Sequence, residues 1–233
     1  MVFTVCVLVS LYRRQRRKVP PVLPPPQSFA TWITDSSDVV RKLPLNQVAF
    51  PGSHNSGAYN ICGNVVSGDC HASLVPYIQR LPFVSSFCQR LSITEQLQAG
   101  VRYLDIRVQA FPSGAPRVCH SLCSISLHEC IAQVRAFLDE HPTELVILDV
   151  NHIYVTSPMV PTARPVDLLG HLNVLTFVRP LLIHALLWLQ QLAEQRGDLP
   201  TLSAVNIVMV DDCGIDQYAV IAAILNLNKA KTG

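Results

Sequence analysis

The chain has 233 residues, 49% of them hydrophobic and only 15% charged, with a mean hydropathy of +0.30. So apolar a composition excludes a disordered, low-complexity or collagenous chain. The length points to one domain with a tail, and no apolar run is long enough for a polytopic membrane protein. The net charge of +2 is uneven: Arg13, Arg14, Arg16, Arg17 and Lys18 open the chain, and beyond them 13 basic residues face 16 acidic ones, a net of −3. A body of that sign has no general electrostatic reason to bind nucleic acid.

Residues 1–12 are apolar and the basic run follows them, the reverse of a secretory signal. As a helix they would reach about 18 Å, short of a bilayer core of about 30 Å. Two readings stay open: an interfacial segment whose basic run meets anionic headgroups, at about 1 kcal/mol per charge, or a disordered tail. The proline-rich run 19–27 cannot continue a helix and reads as a stiff linker. The expected division is a tail over 1–29 and a folded domain over 30–233.

In that domain, 48–50 reads as a strand closed by a turn at Pro51-Gly52. Residues 93–99 read as a short helix with Ser92 as N-cap and Glu95 completing a capping box; Gly100 stops it. Residues 101–108 alternate as a strand, and 117–120 is another. Apolar residues at 127, 131, 134, 137 and 138 predict a helix over 127–141, stopped by Pro142. The run 145–150 is so apolar that burial on both faces is expected. A buried helix over 181–193 and a last strand over 205–210 follow. Strands alternating with helices predict a parallel α/β fold.

The eight cysteines match no zinc-site spacing, and Cys119, His120, Cys123 and His128 fit none either, so buried thiols are expected. Cys62 and Cys70 flank a glycine-containing loop and would suit a disulfide in an exported protein. Polar residues gather where the strands end: His54, Asp105 with Arg107, His120, Asn151 with His152, and Asp211. In parallel barrels the carboxyl ends of the strands carry the active site. Two histidines with an arginine suit phosphoryl chemistry. One imidazole takes a proton and another gives one, while the guanidinium holds a phosphate.

The segments PGSHNS (51–56), QLQAGVRYLDIRV (96–108), VCHSL (118–122) and FLDEHPTELVILDVNHIY (137–154) resemble the X domain of phosphatidylinositol-specific phospholipase C. NIVMVD (206–211) is similar to a late barrel strand of that family, and the resemblance runs over roughly 43–228. It implies a TIM-like (β/α) barrel that cleaves phosphatidylinositol to diacylglycerol and a cyclic inositol phosphate. It also implies roles: His54 as general base, His120 as general acid, Arg107 as stabiliser of the phosphorane, Asp105 beside acid and phosphate, and Asp211 orienting the base. Asn55, Asn151 and His152 would contact substrate. Calcium-dependent members carry a carboxylate where this chain has Arg107. A fixed cation there takes over the metal's task, so no metal and no cofactor are expected. Asn55 stands where bacterial members have an aspartate, which removes a charge that assists the acid.

Only five strands are legible, and about 50 residues separate Tyr154 from Val205. The expected barrel is therefore incomplete or distorted, lacking strands between 155 and 204. The expected partner is phosphatidylinositol in a membrane, met by a monomer that is cytoplasmic or peripheral, with secretion left open. The alternative is an X-domain remnant that binds phosphoinositide or protein without turnover.

Overall fold

The strand that ends in His54 takes its place from hydrogen bonds on both of its edges. The structure, a computed structural model, describes residues 25–61, 65–70, 75, 86–112, 114–155, 174–177, 207–210 and 218–230. Within them β1 (Phe50–Ser53) lies parallel to β2 (Tyr103–Ala110) on one side and to β7 (Ile207–Val210) on the other. Next to β2 comes β5 (Ile147–Val155), and next to β7 comes β6 (Val174–Phe177), both parallel. The described arc is thus β6-β7-β1-β2-β5. It is a curled half-barrel sheet with helices, an incomplete barrel. β6 falls inside the interval 155–204, where no strand was legible.

The expected turn at Pro51-Gly52 is corrected: both residues lie inside β1, paired with Val208 and Met209. Proline lacks an N–H, but its carbonyl still accepts from Arg102 N at 2.9 Å. The turn comes at Asn55, whose φ is +46°.

A purely parallel sheet is also corrected. β3 (Arg117–His120) runs antiparallel to the far half of β2, and β4 (Leu122–Ser126) runs antiparallel to β3. Val108 pairs with Val118 and also with Ile153, so β3 and β5 occupy opposite edges of β2. Only Ser121, at φ +60°, separates β3 from β4. A turn that short closes a hairpin and leaves no room for a crossover helix.

The short helices α1 (Gln27–Ala30) and α2 (Asp38–Lys42) precede β1, and α3 (Ile93–Gln98) precedes β2. α3 has the expected capping box: Ser92 Oγ accepts from Glu95 N at 3.3 Å and Glu95 Oε2 accepts from Ser92 N at 2.7 Å. α4 (Leu127–Glu140) is capped by Ser126, which accepts from Glu129 N at 3.0 Å. Its inward line is Cys130, Val134 and Phe137, whereas Ile131 is 49% exposed. Of the expected apolar face, Val134 and Phe137 are buried and Leu127 and Leu138 pack on the core; only Ile131 departs, and Cys130 is buried beside it. α5 (Ala219–Ala230) packs Val220, Ile221, Ile224 and Leu227 into the core shared with α3, α4 and β2. Burial of such side chains contributes about 1.5–3 kcal/mol each. A second cluster joins Trp32, Phe50, Tyr103, Ile207 and Met209.

β5 departs from the expected two-sided burial. Leu148, Val150, Ile153 and Val155 are 41%, 38%, 56% and 49% exposed. The alternation changes parity at a bulge: Ile106 faces Val150 while Arg107 faces His152, leaving Asn151 as the extra residue. Bulges re-aim side chains in this way, and Asn151 is buried at 7% exposure. The helix expected over 181–193 lies outside the described residues, as do the basic run and most of the proline-rich linker.

Close contact fixes the loop after β1 against β3. A Cβ on Gly57 would lie 2.4 Å from Val118 Cγ1. Gly57→Ala is therefore expected to lower stability by about 1–3 kcal/mol through overpacking, measured as a lower urea midpoint.

Candidate active site

The site grows from Asp105, whose carboxylate is 2% exposed and engaged on both oxygens. Oδ2 accepts from Asn55 N at 2.9 Å, and Oδ1 accepts from Asn151 Nδ2 at 2.6 Å. Asp105 thereby ties the end of β1 to β2 and to the β5 bulge. Asn tolerates the left-handed φ of position 55 better than most residues, and the anchored N–H holds it there. His54 Nε2 lies 3.9 Å from Asp105 Oδ2 and 3.1 Å from Asn55 Nδ2.

Arg107 lies two residues beyond Asp105, so both side chains leave the same face of β2. Its Nε is buried with no hydrogen-bond partner among the described residues. No ion pair joins it to Asp105 among the described residues. A buried guanidinium nitrogen without an acceptor carries a desolvation cost of about 1–3 kcal/mol or more. An anion placed there would remove that cost.

His120 closes β3, and its ring centroid is 6.4 Å from that of His54, at 65° between the planes. Burial pushes its pKa below the ordinary imidazole value; Arg107 and His54 push the same way, and Asp69 opposes them. Cys88 Sγ sits 3.4 Å from His120 Nδ1 and 3.4 Å from Asn55 Nδ2, linking the two strand ends. Gln89 Nε2 donates to the His54 carbonyl at 2.9 Å, and the N–H groups of Cys88 and Gln89 both donate to Ala58 O. His152 Nδ1 meets Asn151 Oδ1 at 2.6 Å, and its ring stacks on Tyr154 at 6.0 Å. Burial, reinforced by Asp69, pushes the Tyr154 hydroxyl up to about 12.

The structure thus gathers His54, Asn55, Asp105, Arg107, His120 and Asn151 at one end of the sheet, with His152 beside Asn151. Asp211 lies outside the described residues, although Val210, just before it, pairs with Ser53, just before His54. Sequence reasoning missed Asp69, Cys88 and Gln89. None sits in a pattern of its own, and each reaches the site through contacts distant in the chain. Among the described residues, no three His, Cys, Asp or Glu side chains gather as a metal site. Cys119, Cys123 and Cys130 are buried, as expected. Cys62, the suggested disulfide partner of Cys70, lies outside the described residues.

A curled parallel sheet with its histidines at the carboxyl ends of strands defines an α/β barrel of the phospholipase C type. Its fold matches phosphatidylinositol-specific phospholipase C from Staphylococcus aureus with a TM-score of 0.55, covering 86% of this chain and 98% of that one; at 14% identity this establishes the fold alone. Residues 73–158 match the family model "Phosphatidylinositol-specific phospholipase C, X domain". That stretch includes Asp105, Arg107, His120, Asn151 and His152, while His54 and Asp211 lie outside it. The chain is 31% identical over 134 residues to human PI-PLC X domain-containing protein 2, which spans 54% of this chain and 44% of that protein. It is 33% identical over 147 residues to the variant-surface-glycoprotein phospholipase C of Trypanosoma cruzi, across 57% of this chain and 38% of that protein. Residues 73–158 are thus similar to the X-domain family, and the match spans less than half the length of these relatives.

Proposed function

We propose that the chain is a metal-independent phosphodiesterase that cleaves phosphatidylinositol at a membrane surface. One observation carries this reading: two imidazoles 6.4 Å apart stand at the ends of β1 and β3, near an arginine whose buried Nε has no partner among the described residues. In the reaction, His54 takes the proton from the inositol 2-hydroxyl. That oxygen forms the new bond to phosphorus, and the bond from phosphorus to the diacylglycerol oxygen breaks. His120 protonates the departing oxygen. The Arg107 guanidinium neutralises charge on the phosphorane. Asp105 holds the three strand ends in register, and Asn55, Asn151 and His152 line the inositol side. The pairing of Ser53 with Val210 supports Asp211 as the group that orients His54. Arg13, Arg14, Arg16, Arg17 and Lys18 would meet anionic lipid.

The test is release of cyclic inositol phosphate from phosphatidylinositol vesicles by the full chain in the presence of a chelator. Undiminished release relative to calcium-containing buffer is expected; release only with calcium, or none in either buffer, overturns the proposal.

A second reading has its own support. The Asn55 amide Nδ2 donates to His54 Nε2 at 3.1 Å and occupies the nitrogen that a base would use. In that reading the chain binds phosphoinositide without turnover. Vesicle binding that persists in a His54→Ala, His120→Ala double variant, with no product from either chain, would favour it.

A further inference from the structure

Asp69 lies outside β1 to β7 yet grips the end of β3. Its Oδ1 and Oδ2 accept from Ser121 N at 3.0 and 2.9 Å, and its carboxylate also accepts from the Ser67 hydroxyl. Ser121 follows His120 directly and holds φ +60°, a strained backbone for a serine. The segment 65–70 is itself pinned. Ser67 N donates to Ser121 O at 3.1 Å, Cys123 N to Val65 O at 2.8 Å, and Gly68 N to Gln109 Oε1 at 2.7 Å. A Cβ on Gly68 would lie 2.8 Å from Tyr154 Cβ, so this strap lies tight on β5.

We propose that Asp69 is the positioning residue for His120. Its carboxylate clamps the Ser121 N–H, fixes the imidazole at the strand end and supplies the negative charge that the uncharged Asn55 cannot. Besides Asp69, only a hydrogen bond to the Ser86 backbone favours the protonated form of His120 among the influences acting on it; burial and the neighbouring cations oppose it. Arg107 faces it from β2, His54 from the end of β1, and Cys88 Sγ touches Nδ1, while Tyr154 on β5 and Cys119 on β3 are held neutral by burial. Asp69 is the carboxylate acting against them. An acid that must hold its proton until the leaving group departs needs such a charge.

The inference rests on the general-acid reading of His120, and its test separates the two. The His120 imidazole is titrated by NMR in the full chain and in Asp69→Asn and Asp69→Glu. Asp69→Asn should shift the midpoint to lower pH and lower turnover about tenfold or more, part of the 10²–10⁴-fold that a general acid contributes. Asp69→Glu should restore the midpoint in whole or part. An unchanged midpoint in folded Asp69→Asn overturns the proposal. If that variant does not fold, the Asp69 carboxyl carbon in the unsubstituted chain decides: it should show a second inflection at the His120 midpoint, and its absence overturns the proposal. A chain that releases no cyclic phosphate but shows the midpoint shift sinks the phospholipase reading and leaves the clamp standing.

Discussion

His54→Ala and His120→Ala should each lower phosphatidylinositol turnover by about 10²–10⁴-fold, the range for loss of a positioned acid or base. That corresponds to about 3–5 kcal/mol of transition-state stabilisation. Neither loss should propagate through the fold. The Asp105 clip uses the Asn55 backbone N–H and the Asn151 side chain, not the His54 ring. The His120 end of β3 is held by backbone pairing and by the Ser121 N–H. The urea midpoints should therefore stay near that of the unsubstituted chain, so that lost activity reads as lost chemistry. Retention of more than about a tenth of the activity in either variant contradicts the assigned roles.

The pH profile gives an independent reading. His120 must be protonated to act, so turnover falls as pH rises through its pKa. Burial, Arg107 and His54 place that pKa below the ordinary imidazole value. The alkaline limb of kcat/KM should therefore begin at lower pH than for an unperturbed histidine.

Arg102→Met should cost about 3–5 kcal/mol of stability, since removing one member of a buried ion pair strands the other. Arg102 and Glu144 have fully buried side chains, joined through Nε at 3.0 Å and Nη2 at 2.7 Å. Nη1 donates to the carbonyls of Leu97 and Val101, both at 2.9 Å, and Nη2 also donates to Ala30 O at 2.6 Å. All five guanidinium donors are thus satisfied, and the group lies 4.8 Å over the Phe137 ring. Glu144 Oε1 in turn accepts from Thr34 N at 2.8 Å and Thr34 Oγ1 at 2.7 Å. The cluster ties α1, α3, α4 and the start of β2 together beneath the sheet. Replacing both partners, as Arg102→Met with Glu144→Leu, should recover most of the loss. Urea unfolding of the three variants is the measurement, and a single-variant loss below about 1 kcal/mol would contradict the account.

Arg102 and Arg107 show how far a sequence goes. Both sit on or beside the same apolar strand, five residues apart. Spacing marks Arg107 as sharing a face with Asp105, and family resemblance marks it as functional. Nothing local says that Arg102 has a carboxylate waiting 42 residues on, whereas Arg107 Nε has no partner among the described residues. The same split holds elsewhere. The capping boundary of α3, the periodicity of α4 and the strands at 103–110 and 117–120 were legible because caps and periodicity act over two to four residues.

The chain's order of residues alone determined α3, α4, most of the strands and the polar groups at their ends, since each depends on near neighbours. Tertiary structure decided the antiparallel β3-β4 hairpin, the bulge that turns Asn151 inward to Asp105, and the Asp69 grip on Ser121. These contacts span 46 and 52 residues for the two side-chain links. Pairing register and buried hydrogen bonds form only when distant segments meet, and no local preference encodes which partner each will find.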